Sequence, residues 1–309
     1  MTKTTNPPRQ RQKRSIVVKD IIFDHACVQP THCLANGLFR PIKRGLRAET
    51  ALDITHSYKT YAFRWQHPTE SLCIKDQRVF LAVLYLASVP GRTFCAGADC
   101  PDEKMQEARN ALDLKLGAQN AACLIIATTA RELANVLGLG ISGPALSRIL
   151  ESLKRLAGVT FSIAAAGTDN AVWQSQMFSV VNVDSKNILI GISPTLSKPL
   201  GDKKTEKTYI DMKEQRALTT DAAQRLHVWL SAWLRPTEGR SIHLDLLVKH
   251  VWGDTGTGNT LYTRRDTLKQ ALNELNDKTV WGCKYDQASQ TAFIQRTKLG
   301  QQAAEAKSA

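Results

Sequence analysis

One pattern is written twice in this chain: a helix, a glycine-bearing turn, a second amphipathic helix, then a β-rich hairpin. In the first copy Thr129-Ala-Arg-Glu132 has the form of a capping box. It opens a helix to Leu137 that Gly138-Leu-Gly140-Ile-Ser142-Gly143-Pro144 breaks. The next helix runs from Pro144 to Leu156 and puts Leu146, Ile149, Leu150, Leu153 and Leu156 on one face. Arg148, Ser152 and Arg155 fall on the other. Val159–Ile163, Trp173–Val183 and Ile188–Ile192 follow as strands.

The second copy begins with Asp221–Leu234, where Leu226, Trp229, Leu230, Trp233 and Leu234 recur at helical spacing. Ser241–Leu244 reads as a strand, and Asp245 as the cap of a helix over Leu246–Trp252. Gly253–Gly258 forms the turn, and Thr260–Leu275 a helix with a buried stripe of Leu261, Leu268, Ala271, Leu272 and Leu275. Val280–Tyr285 and Thr291–Gln295 close a terminal hairpin. The pattern predicts an α+β chain of tandem winged-helix domains: a basic arm over 1–23, an N-terminal domain over 24–193, a C-terminal domain over 194–298 and a tail over 299–309. Pro194, Pro199 and Gly201 punctuate the junction. Before the first copy, Leu52–Trp65 alternates as a hairpin, Leu72–Ser88 reads as a buried helix, and 90–120 as an irregular, partly helical insertion.

Charge gives this fold a partner. Lys and Arg number 41 against 28 Asp and Glu, a net charge of +13 over 309 residues. Such an excess favours a polyanion, nucleic acid above all. Lys3, Arg9, Arg11, Lys13 and Arg14 lie in the first 14 residues, which hold no acid. A helix about 10–12 Å across fits a major groove about 12 Å wide. On the second copy's last helix Asn259, Thr263, Asp266, Thr267 and Gln270 lie opposite the leucines, and Arg264 and Arg265 flank the stripe. Arginine can pair bidentately with guanine, and Asn or Gln with adenine. Lys284 on the hairpin would follow the phosphates; Arg148, Ser152 and Arg155 are the first copy's candidates.

Other chemistry is poorly supported. Gly138-x-Gly140-x-x-Gly143 has the letters of a dinucleotide fingerprint, but a helix precedes it where that site needs a strand. There is no P-loop motif and no defensible Ser/His/Asp set, and His227, His243 and His250 are scattered. Of the seven cysteines, Cys95 and Cys100, with His25, Cys27, His32 and Cys33 upstream, lack the tight spacing of a zinc site. The expectation is a binding protein without catalysis, metal or cofactor. No apolar run approaches the ~18 residues of a membrane span and no secretory signal is evident, so the chain is expected in the cytoplasm, away from membranes.

The run Pro30-Thr-His32-Cys33-Leu34-Ala-Asn-Gly37-Leu38-Phe39-Arg40-Pro-Ile-Lys43-Arg44-Gly45 resembles the N-terminal signature of replication protein C, the origin-binding initiator of IncQ-like plasmids. The likeness continues through Arg216-Ala-Leu218, Ala223-Gln-Arg225-Leu226-His227, Trp233, Val251-Trp252, Gly258, Arg264-Arg265 and Ala271-Leu272-Asn-Glu274-Leu275, and spans about residues 24–296. It implies a non-enzymatic initiator that binds directly repeated iterons as double-stranded DNA, melts the neighbouring AT-rich DNA and brings in the plasmid-encoded hexameric helicase. A homodimer is compatible with it. It carries base reading onto Arg264 and Arg265; Arg40, Lys43 and Arg44 are candidate phosphate contacts, and His32-Cys33 a structural turn. Tyr262, Thr263 and Thr267 depart from the family, standing where its members are more basic. The rival readings are a winged-helix transcriptional regulator on a promoter operator and, more distantly, a primase or nicking enzyme.

Overall fold

The computed structural model describes residues 24–42, 50–182, 187–202 and 204–297. The chain opens with strand β1 (His25–Val28) and the short helix α1 (Pro30–Leu34). The expected hairpin is β2 (Leu52–Tyr58) and β3 (Tyr61–His67), and α2 (Ile74–Ser88) is the buried helix after it. The insertion folds as β4 (Thr93–Ala96), α3 (Glu103–Asn110) and β5 (Lys115–Leu116). The first repeat unit is β6 (Cys123–Thr128), α4 (Ala130–Val136), α5 (Gly143–Ala157), β7 (Thr160–Ala165), β8 (Ala171–Gln176), β9 (Phe178–Asn182) and β10 (Ile188–Ile192). Then α6 (Pro194–Gly201), β11 (Thr208–Asp211) and α7 (Met212–Ala217) lead to the second unit. That unit is α8 (Asp221–Trp233), β12 (Gly239–His243), α9 (Leu244–Trp252), α10 (Asn259–Lys278), β13 (Trp281–Asp286) and β14 (Thr291–Arg296).

The second unit forms a three-stranded antiparallel sheet in the order β12-β14-β13, against which α8, α9 and α10 bury Leu226, Leu247, Leu268, Leu272 and Leu275. The first unit differs. Its hairpin, β7 and β8, joins a five-stranded sheet, β2-β3-β7-β8-β5, while β6 sits in a separate sheet, β4-β6-β10-β9. The strand before the helix pair thus pairs with its hairpin directly in the second unit, but lies in a different sheet from its hairpin in the first. Around α2 the large core gathers Phe39, Trp65, Phe80, Phe161 and Phe178. A small third core, with Ala96, Ala108, Leu112 and Ile125, holds the insertion to β6.

Two helix starts differ from their sequence reading. Thr129 accepts from the Glu132 amide at 3.0 Å, but the Glu132 carboxylate turns to Thr128 and Arg92 and does not complete a capping box. Asp245 lies inside α9, where the cap is His243, whose Nδ1 accepts from the Asp245 amide at 3.2 Å. The Asp245 carboxylate is thereby free for Arg265.

Between the two large cores runs the start of the chain. β1 pairs antiparallel with β11, so His25 faces Asp211 and Val28 faces Thr208, and α1 packs on α8. From α8 the wholly buried Arg225 donates to the carbonyls of Cys33 and Ala35, each at 2.9 Å. Asn36 meets His250 of α9 at 2.7 Å. Gly37 and Gly253, both with positive φ, touch backbone to backbone: a Cβ on Gly253 would lie 2.9 Å from the Gly37 Cα. The segment 24–40 is therefore a strap across both units. Leu196, Ile210 and Met212 pack in the first core and Leu218 opens the second, so the apolar division falls near residue 218 and not at 194. His32-Cys33 is a turn of helix α1, not a loop turn, with the His32 ring among Trp65, Phe80 and Phe161.

Two expectations follow. Arg225→Ala strands two buried carbonyls and leaves a cavity, and should cost about 3–5 kcal/mol in urea unfolding; a loss under ~1 kcal/mol would mean that the strap is not held there. Acid should also weaken the fold. Burial pushes the His32 pKa down to about 3 and, with help from Arg225, that of His250 to about 4, against an ordinary 6.5. As pH falls from 6.5 towards those values the unfolded chain holds more protons than the folded one, so each ring removes at most about 1.4 kcal/mol per pH unit. Urea midpoints taken down this range should fall, and less steeply in His250→Gln.

Candidate nucleic-acid interface

A helix that reads DNA needs one side anchored and the other open. The 20-residue α10 meets the first need with Leu268, Ala271, Leu272 and Leu275, all buried. At 100° per residue, the ridge opposite these is Asn259, Tyr262, Thr263, Asp266, Gln270 and Asn273, and each is exposed. The Thr263 hydroxyl donates to the Asn259 carbonyl and that of Thr267 to the Thr263 carbonyl, each at 2.9 Å, so both are engaged by their own helix. Thr267 itself is half-buried at the flank.

The two arginines lie nearer the core side and are held there. Arg265 makes a bidentate pair with Asp245, 2.7 Å on both arms, and lies over the Tyr262 ring at 5.9 Å. This hydrogen-bonded pairing lowers the pKa of Asp245 and raises that of Arg265. Arg264 donates to the Asp254 carboxylate at 2.6 Å and its carbonyl at 2.9 Å, and stacks over Trp252. Gly256 makes room for this: a Cβ there would be 2.8 Å from Thr260 and 3.1 Å from the Arg264 guanidinium. The acids Asp245 and Asp254 come from α9 and its turn, and nothing in local sequence spacing announced them.

On α5 the structure rotates the expected face. Ile149, Leu153 and Leu156 point inward, but so does Ser152, 2 % exposed, whose hydroxyl accepts from Arg155 at 3.1 Å. Arg155 reaches the wholly buried Asp76 of α2 at 3.0 and 3.1 Å, with Glu70 at 3.8 Å. Asp76 also accepts from the Cys73 amide at 2.9 Å and so fixes the start of α2. The expectation that Ser152 and Arg155 face outward is thus corrected: a carboxylate buried 79 positions earlier draws them in. The outward ridge of α5 is Ser147, Glu151 and Lys154, flanked by exposed Arg148. A helical wheel centred on Ile149, Leu153 and Leu156 gives that outer ridge, but not the inward reach of Arg155, which Asp76 causes.

The remaining candidates are dispersed. Lys284 is exposed on β13, where Asp286 and Ser289 tie the hairpin turn at 2.5 Å. Half-buried Arg40 donates to Ser71 at 3.2 Å; Lys43 and Arg44 lie outside the described residues. Gly138, with φ of +65°, turns the chain out of α4, and no strand leads directly into the glycine motif. Among the described residues no group of three or more His, Cys, Asp or Glu is placed to hold a metal, and no helix is long and apolar enough to cross a membrane. All seven cysteines are free, and burial pushes Cys33 and Cys283 up to about 12.

The profile of one protein family, replication protein C, matches residues 20–296. No curated protein matches the chain significantly. Among solved structures, domains 2 and 3 of RctB superpose with a TM-score of 0.50 at 10 % identity, covering 87 % of this chain and 99 % of that one. A second crystal structure of RctB domains 2–3 gives 0.50 and 10 %, over 86 % and 95 %. The likeness is one of fold, a mixed helix and sheet architecture.

Placement on α5 is open to a direct comparison. Arg155→Ala should lower stability by about 3–5 kcal/mol, because it removes the guanidinium that balances the buried Asp76 carboxylate. Lys154→Ala, one residue earlier, should stay within about 0.5 kcal/mol of the parent. Equal urea midpoints for the two variants would contradict the inward position of Arg155.

Proposed function

The chain belongs to the replication protein C family, and from that premise we propose that it is a plasmid replication initiator that binds directly repeated iterons in its origin as double-stranded DNA. In this reading the two units, divided near residue 218, act as tandem winged helices, with α5 and α10 as the helices that enter the major groove. Each bound domain contributes strain and contacts that help the adjacent AT-rich DNA to open, and the assembled protein brings the plasmid-encoded hexameric helicase to the open strands in the cytoplasm. It works without catalysis of its own.

One observation carries the proposal: the order helix, helix, hairpin occurs twice, and each time the second helix is anchored by leucines and presents an exposed polar ridge. In the second unit the sheet order β12-β14-β13 is the one a winged helix requires, with the first strand between two helices and paired to the outer limb of the wing. The net charge of +13 supplies the long-range attraction to a polyanion. The first unit, with its hairpin in a larger sheet, supports the same reading through α4 and α5.

A footprint on the DNA flanking this gene tests it. Protection of several direct repeats beside an AT-rich stretch, together with reactivity of that stretch towards a single-strand-specific probe, is the expected result. An inverted repeat over a promoter, bound without opening, would instead identify a regulator. Raising salt from ~50 to ~200 mM should weaken binding by roughly 10³–10⁵-fold if some 6–10 phosphates are contacted.

A further inference from the structure

The ridge and the arginines of α10 do different work. Arg264 and Arg265 each have a carboxylate within 2.7 Å and an aromatic ring beneath the guanidinium. To reach a base either would have to leave both, and Asp245 or Asp254 would be left beside the phosphates. The outward side chains are held more loosely. Tyr262 is 64 % exposed, the most open large apolar side chain among the described residues, and Arg265 props its ring. Asp266 has its side chain 71 % exposed, with only Lys269 at 3.4 Å beside it. Lys269 in turn lies over the Tyr285 ring at 5.2 Å.

Resting on the reading of α10 as a groove helix, we propose that Asn259, Tyr262 and Asp266 determine its base preference, while Arg264 and Arg265 are positioning residues that fix the ridge. A carboxylate in a groove lined by phosphates is tolerated only where it meets a donor, and an ionised carboxylate can only accept. In the major groove the amino group of cytosine is the usual partner of Asp. Asn259 can pair with adenine, and the Tyr262 ring can cover a thymine methyl. The site under α10 therefore carries a cytosine and A·T pairs on the face read, and lacks the arginine–guanine pairing that the sequence suggested.

The test is selection from a pool of random duplexes of about 30 base pairs, roughly three turns, on the full-length protein, followed by sequencing. Parent, Asp266→Asn, Tyr262→Ala and Arg264→Ala/Arg265→Ala proteins are compared, with thermal unfolding alongside. Asp266→Asn should lose its preference at one position per site, by roughly tenfold, without weaker binding to a random duplex. Tyr262→Ala should lose preference for a thymine. The double arginine variant should melt earlier and select the parent motif at the same positions, only less sharply. The proposal fails if the arginine variant loses a guanine while Asp266→Asn and Tyr262→Ala keep the parent motif. Should the arginine variant not fold, Asp266→Asn, on an exposed side chain, decides alone. A parent protein that binds duplex DNA yet selects no motif overturns this assignment only; one that binds no duplex removes the reading beneath it as well.

Discussion

The relation between the two helix pairs is held by one cation without a carboxylate. Arg225 is charged and wholly buried, and its partners are the carbonyls of Cys33 and Ala35. Burial pulls its pKa down only to about 10, so it keeps its proton at neutral pH. Such a charge is tolerable only if the donors meet acceptors in fixed positions. Those acceptors sit at the end of α1, whose strand β1 is sewn to β11 and whose Pro30–Arg40 run contributes to the first core. A guanidinium on α8 thus clamps the strap that both cores share. The Gly37–Gly253 contact adds a second point, where no side chain fits.

That geometry gives the signature run a mechanical meaning. Residues 30–39 read as a specific string, and they reach the second unit through backbone carbonyls, the Leu34 side chain, Asn36 and Gly37. His32 fills space between Trp65, Phe80 and Phe161 as a neutral ring. Burial and the Arg225 charge lower the pKa of the neighbouring His56 as well, so a proton on either ring is repelled rather than welcomed at this junction. On the proposed reading, with α5 and α10 both facing DNA, a stiff seam would fix their separation.

Much of this was legible in the sequence. Periodicity placed α2, α5, α8 and α10, because each has a leucine-rich face continuous enough to show at 3.6 residues per turn. Turn residues placed both hairpins, and the leucine stripe placed the outer ridge of α10. What escaped was long-range. The rotation of the α5 face depends on Asp76, and the engagement of the two α10 arginines on Asp245 and Asp254. An acid 10 to 79 positions away leaves no periodic trace. The apolar boundary near 218 escaped for the same reason: prolines marked 194–201, but β11 pairs back to β1 and takes its segment into the first core.

Charge bookkeeping along α10 explains why attraction and discrimination would be separate there. Its four cations, Arg264, Arg265, Lys269 and Lys278, each pair with an acid, while the ridge carries Asp266 and uncharged groups. Pairs of this kind, partly exposed, add little stability, but they hold the arginine heads on the flank of the helix, away from its exposed ridge. Exposed cations lie elsewhere, at Arg148 and Lys154 on α5, Lys249 on α9 and Lys284 on the β13–β14 hairpin. A duplex drawn in by those side chains would meet on α10 a surface too weakly charged to bind every sequence alike. Phosphate contacts carry no sequence information, so on the proposed reading a ridge without free cations is the part of α10 best suited to reject a wrong base.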